Sequence, residues 1–221
     1  MAARKVFWMM IARVGKAEEN KKKKREALLR TAFDLFTSQG FSKTTVANIA
    51  ENAGVAKGTF YLYFKDKYDL RDKLVRHEAS EILKRAFDAL QATGLRTFEE
   101  KMLFMTGNVI SQLTENKLVL KFISRNLSWG MLKHDVSDLT PFDGEDLDVE
   151  QIYIQELKKS DVKYRNPEIM LYMIVDFVGS TAYSSIIESD PLPVDQMRPY
   201  ILDAVQAIMK SQEVPENSAA E

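Results

Sequence analysis

The 221-residue sequence predicts an all-α fold of about nine helices. Apolar residues recur at spacings of three and four almost throughout, the period of a helix face. No stretch shows the apolar–polar alternation of a half-buried strand. Glycines, prolines and polar caps break the helical pattern at intervals, as at Gly40, Gly54 and the pair Pro141 and Gly144. Hydrophobic residues make up 45% of the chain and charged residues 29%, an ordinary globular balance that allows a sizeable core.

The N-terminal arm, 1–17, carries an apolar run at 6–12 between Lys5 and Arg13. That run is too short to span a bilayer. As a signal peptide it places Arg13 and Lys16 where small cleavage-site residues belong. A targeting segment, an arm docked on the folded body, and a start codon upstream of a natural one at Met9 or Met10 all stay open. Helix 1 is expected at 18–39, opened by Glu18 and Glu19, with Ala27, Leu28, Phe33, Leu35 and Phe36 on its apolar face. Thr44 or Thr45 can cap a short second helix carrying Val46, Ile49, Ala50 and Ala53 on one side, and Gly54 ends it. A third short helix, 57–63, turns Phe60 and Phe64 inward. Asp66 caps a long fourth helix, 67–91, and five more are expected at 97–114, 117–133, 148–160, 167–188 and 194–211. The acidic stretch 135–150 reads as an exposed loop and 213–221 as a polar tail.

Charge divides the chain. Residues 1–67 carry a net charge of +8 and the remainder −9, so a basic head is joined to an acidic body. Two short helices joined by a glycine-containing turn and braced by a longer one form a helix-turn-helix. The stretch 41–67, FSKTTVANIAENAGVAKGTFYLYFKDK, closely resembles the DNA-binding signature of TetR-family transcriptional regulators. The resemblance rests on Thr-Thr-Val opening the second helix, on Ile-Ala and Ala-Gly-Val at the turn, and on Lys-Gly-Thr-Phe-Tyr-Leu-Tyr-Phe with Lys-Asp-Lys after it. It implies an 18–67 DNA-binding domain and a 68–212 helical effector-binding and dimerisation domain. It also implies a cytoplasmic homodimeric repressor with no membrane partner, bound to a double-stranded operator and released by a small molecule. Helix 3 would be the recognition helix, and the resemblance assigns Lys57, Gly58, Thr59, Tyr61 and Tyr63 to DNA. Lys57 and Thr59 suit base edges, Gly58 a close backbone approach, and the tyrosines phosphates. Thr44, Thr45 and Lys67 stand at helix starts, where free N–H groups favour phosphate. The five cations at 21–25 either add salt-dependent phosphate contacts or form a solvated face. Ala56 departs from the family, where many members carry Ser, and leaves helix 3 without a side-chain cap.

Enzyme readings find no support: no G-x-S-x-G elbow, P-loop or G-x-G-x-x-G is present, and His77-Glu78 lacks a second histidine. The absence of cysteine rules out disulfides, zinc-thiolate sites and a cysteine nucleophile. No catalytic site, metal or cofactor is expected. An EF-hand register around Gly144 fails, because Leu139 and Pro141 fall where ligands belong. In the acidic body, Phe104, Met105, Phe122, Trp129, Tyr153 and Tyr172 suit either a core or an effector pocket, with Asn108 and Asp176 as its polar residues. Asp176 interrupts an apolar run; a buried carboxylate there must be hydrogen-bonded or neutralised, and it can serve a ligand, cap a structural network or face a dimer partner. Dimerisation is expected through the last two helices, using Ile169, Met173, Val178, Ala182, Ile186, Ile201, Val205 and Ile208, with Gly179 and Ser180 allowing close approach. The alternative function is a helical ligand-binding or adaptor protein whose helix-turn-helix does not regulate transcription.

Overall fold

The computed structural model describes residues 2–126 and 149–215. Among these residues it contains nine α-helices and no strand. They are α1 (Ala2–Ser38), α2 (Val46–Asn52), α3 (Lys57–Phe60), α4 (Lys67–Gln91), α5 (Phe98–Glu115), α6 (Lys117–Asn126), α7 (Val149–Lys158), α8 (Pro167–Tyr183) and α9 (Val194–Gln212). A π-helical turn, Ser184–Glu188, continues α8. The chain divides into two compact units, Met1–Leu74 and Val75–Glu221, and α4 contributes to both.

In the first unit α1 is longer than the sequence predicts: it begins at Ala2 rather than at 18. No proline interrupts the segment, and Gly15 is carried inside the helix rather than ending it. Leu28, Leu29, Ala32 and Phe36 from α1 are buried with Ile49 and Ala50 of α2, with Phe60 and Phe64, and with Leu70 and Leu74 of α4. Of the two threonines offered as caps for α2, Thr45 is the one that serves. Asn48 N–H donates to its Oγ1 at 3.1 Å, and the Asn48 side-chain oxygen accepts from Thr45 N–H at 3.2 Å. That reciprocal box satisfies donors the helix start would otherwise leave open. The far end of α2 closes with Gly54 N–H donating to Glu51 O (3.0 Å) and Val55 N–H to Ala50 O (2.9 Å). Gly54 sits at φ +68, the left-handed conformation this closure requires and which a side chain disfavours. α3 follows with no side-chain cap at Ala56. Asp66 caps α4, its Oδ1 accepting from Tyr68 N–H (2.8 Å) and Asp69 N–H (2.9 Å).

In the second unit α9 packs on α5 and α8, and α6 on α5 and α8. Thr97 and Glu100 form a capping box at α5, while Asn166 caps α8 with Pro167 as its first residue. Arg198 of α9 donates to Ser111 Oγ (2.9 Å) and Gly107 O (3.3 Å) on α5, fixing the register of that crossing. The stretch Pro167–Glu188 is long and apolar enough to cross a membrane by length and composition. Its Met170, Ile174, Val178 and Ala182 are buried within the unit, on one side of the helix.

Two expectations are corrected here. Val178, Ala182, Ile186, Ile201 and Val205, assigned to a dimer face, are buried inside the single chain. α8 and α9 pack on each other, and their most apolar stripes meet there first. Asp176 is exposed rather than buried, because it lies on the opposite side of α8 from Met170, Ile174 and Val178.

Phe60 is fully buried, and its ring lies 5.5 Å from that of Phe64. Phe60→Ala is expected to destabilise the first unit by about 3–5 kcal/mol. Thermal melts followed by circular dichroism would register the loss, and amide exchange would locate it between residues 46 and 64.

Candidate nucleic-acid interface and effector cavity

The helix-turn-helix of the first unit is built so that its inward side is aromatic and its outward side polar. Phe60 and Phe64 face the core, while Thr45, Lys57, Gly58 and Tyr61 are exposed and Thr59 and Tyr63 half-buried. The outward set supplies a cation, hydroxyl donors and a bare stretch of backbone within two helical turns. Such a surface can donate to phosphate oxygens and to the acceptors of guanine. Outside this set, Lys21 and Lys23 of the basic run pair with Glu18 (3.1 Å) and Glu19 (2.6 Å) on the surface of α1.

Two residues assigned to DNA do something else in this structure. Thr44 is 0% exposed. Its hydroxyl donates to Gly40 O at 2.9 Å and accepts from Gln39 Nε2 at 3.2 Å, and its N–H donates to Phe41 O. Lys67 turns its ammonium back over the loop between α1 and α2, donating to Phe41 O and Thr44 O, both at 3.0 Å. The same nitrogen lies 4.4 Å from the centre of the Phe41 ring. Phe41 is in turn stacked edge-on by Tyr68 (5.0 Å), with the Arg71 guanidinium 5.1 Å from its centre. The side chains of Thr44 and Lys67 are therefore clamps that hold the start of α2 against the start of α4. The signal for this was present in the sequence as an aromatic residue, Phe41, placed directly after the helix-ending glycine.

The second unit holds a cavity of about 620 Å³ between α4, α5, α6, α7 and α8. Met105, Tyr153, Tyr172 and Asp176, all singled out from the sequence, line it. Phe104, Asn108 and Phe122 are not among its lining residues. Asn108 instead accepts from Gln112 Nε2 at 2.7 Å, and Gln112 also binds Ile82 O and Arg85, tying α5 to α4. Trp129 lies outside the described residues. The sequence reading missed the α4 wall, formed by Ala79, Ile82, Leu83, Phe87 and Leu90.

Polar groups are few in this cavity and mostly engaged. Tyr153 donates its hydroxyl to Pro167 O at 2.8 Å, and burial pushes that hydroxyl's pKa upward, so it stays protonated. Lys101 and Glu156 form an ion pair in the wall, and Glu156 accepts a second lysine, Lys159, at 2.6 Å. Hydrogen bonds from Lys101 and then Lys159 hold the Glu156 carboxyl below the usual carboxylate range. Among the described residues, no group of three His, Asp or Glu side chains could hold a metal ion.

Fold and surface together define a helical protein with a helix-turn-helix head and a separate helical unit enclosing an apolar cavity. Residues 28–74 match the family model for bacterial regulatory proteins of the tetR family. The fatty acid metabolism regulator protein of Bacillus subtilis (strain 168) is 28% identical over 95 residues, covering 43% of this chain and 48% of the relative. The regulator AcrR of Shigella flexneri is 37% identical over 67 residues, 30% of this chain and 31% of that one. The chain thus spans less than half the length of either relative. The crystal structure of the transcriptional regulator FadR from Bacillus subtilis in complex with stearoyl-CoA superposes with a TM-score of 0.57 at 19% identity. That match covers 82% of this chain and 97% of FadR, and it establishes a common fold.

Two outcomes follow from these contacts. Lys67→Met keeps the aliphatic stem but removes both carbonyl bonds and the charge over Phe41. It should lower the stability of the first unit by about 2 kcal/mol in urea unfolding. Because the folded pKa of Glu156 is depressed, its stabilisation is present above the unfolded value and is lost as pH falls through the folded one. Unfolding midpoints measured against pH should therefore drop less steeply on the acid side in Glu156→Gln than in the parent.

Proposed function

We propose that this protein is a DNA-binding transcriptional regulator, most simply a repressor, whose hold on its operator is released by a small apolar or amphipathic molecule in the cavity of the second unit. The observation that carries the DNA half is the outward set of exposed Thr45, Lys57, Gly58 and Tyr61 with half-buried Thr59 and Tyr63, on a head of net charge +8. Lys57 and Thr59 address base edges, and the tyrosine hydroxyls address phosphates. The cavity carries the ligand half: it is large enough for a small molecule and its walls are mostly aliphatic, aromatic and Met side chains. Stearoyl-CoA, bound by FadR, has the long apolar body such walls suit. A ligand releases DNA only if it binds the released conformation better than the operator-bound one. α4 supplies both Lys67, which clamps the head, and Phe87 and Leu90, which line the cavity, so it is the element a ligand would bias.

The protein acts in the cytoplasm as a homodimer, since one helix-turn-helix buries too little DNA for high specificity. Of the residues named for that contact, Ile169 remains exposed and Met173 and Ile208 half-buried. Tyr172 and Tyr200 add exposed aromatic area on α8 and α9. Ile169→Asp with Tyr200→Asp should shift a sedimentation profile from dimer to monomer without loss of helix content. A dimer that persists in the double variant places the interface elsewhere.

Gel shifts with the full chain and DNA from upstream of its own gene test the whole reading. The logarithm of affinity should fall linearly with the logarithm of salt concentration. Tyr61→Ala should weaken binding at least threefold with no change in melting temperature, and added stearoyl-CoA should release the DNA. Val175→Trp, which fills the cavity from α8, should keep DNA binding and lose the release. Failure to bind any upstream fragment at low salt would leave the adaptor reading instead.

A further inference from the structure

The helix-turn-helix presents one side chain that neither the resemblance nor the clamp explains. Leu62 is 79% exposed. It follows α3 within a turn that stays helical: Tyr61 is in the right-handed α conformation, Leu62 N–H donates to Thr59 O, and Phe64 N–H donates to Phe60 O. In such a turn each residue is rotated about 100° from the last, so residues two apart point to opposite sides. Phe60 and Phe64 are buried, so Leu62 and, one turn before it, Gly58 occupy the side directed away from the core.

Gly58 supplies a second, independent observation. A Cβ built there would meet no atom of the protein within 4 Å, and its backbone is not in the left-handed region. Nothing inside the chain requires a glycine at that position, although glycine weakens a helix. The open space there leaves room for a partner to come close to the backbone. A bare glycine followed one turn later by an exposed leucine forms a shallow apolar strip, flanked by exposed Lys57 and Tyr61. The net charge of +8 over residues 1–67 points to a polyanion as the occupant. On the floor of a major groove the apolar group available is the C5-methyl of thymine.

We infer that Leu62 is a specificity-determining residue that packs against a thymine methyl in the major groove, with Gly58 letting the helix backbone come close enough for that contact. This inference rests on the DNA reading above and adds to it a base preference carried by packing alone. Lys57 and Thr59 read hydrogen-bonding groups, whereas Leu62 reads a methyl.

The test begins with the wild-type full chain and a library of randomised duplexes. Enriched sequences should contain one invariant thymine in each half-site. Replacing that thymine by uracil removes only the methyl. In anisotropy titrations the wild type should then bind about fourfold more weakly, the worth of one buried methyl. Leu62→Ala should show a similar loss on the thymine duplex and no further loss on the uracil one. Because Leu62 is exposed, the melting temperature of this variant should be unchanged. A wild type indifferent to uracil at every thymine would overturn the assignment, and this arm needs no variant. So would a Leu62→Ala protein that keeps the thymine preference. If no duplex is enriched at all, the DNA reading itself fails, a result distinct from enrichment without methyl dependence.

Discussion

A helix of four residues has no stability of its own. Forming its first turn fixes several dihedrals for very few hydrogen bonds, so α3 exists only because its surroundings impose it. Three features do so. Phe60 and Phe64 anchor its inner side in the aromatic core, and Gly54 closes α2 so that the chain re-enters at the required angle. The Lys67 ammonium fastens the loop before α2 to the start of α4. The outward side of α3 is free to carry polar and exposed groups because none of them is needed for folding. A reading surface is thereby separated from its support within a single turn, and substitutions on the two sides have different consequences.

The second unit solves a different problem. A partly open cavity of about 620 Å³ with mostly apolar walls costs contacts that a filled core would make. The walls must therefore be held from outside the cavity. Polar cross-links do this, outside the cavity from Arg198 to Ser111 and from Gln112 to Ile82 and Arg85, and at its wall from Tyr153 to Pro167. Each ties two helices together without projecting an unsatisfied group into the apolar space. The Lys101–Glu156 pair and Asp176 put charge in the wall itself, and Lys159 gives the Glu156 carboxylate a second partner.

Much of this was legible in the sequence, and the reasons differ by element. The helix-turn-helix could be read because its signals are local: Thr45 before Val46, Gly54 after α2, and Phe60 and Phe64 one turn apart. The roles of Thr44 and Lys67 were not legible. A threonine at a helix start looks alike whether its hydroxyl faces water or a buried carbonyl, and the Lys67 contacts with Phe41 and Thr44 span 26 and 23 residues. The apolar stripes of α8 and α9 were visible, but the pattern does not say which copy of the chain a stripe packs against. Val178, Ile201 and Val205 turned out to pack within their own. Asp176 shows the same limit, since an apolar run contains a solvent-facing side as well as a buried one. α1 extends to Ala2 because helix-forming residues precede the expected start, and Glu18 and Glu19 are as acceptable inside a helix as at its beginning.

The Lys67 clamp also fixes an order of events during synthesis. Phe41 and Thr44 emerge from the ribosome well before the lysine that holds them, and until position 67 is made nothing joins the start of α2 to α4. The apolar side of α1 and the Phe60–Phe64 pair remain uncovered over that interval, a state in which nascent chains depend on chaperones or on speed. Once the first turns of α4 follow, Leu70 and Leu74 arrive together with the clamp, and the head can close while most of the second unit is still unmade.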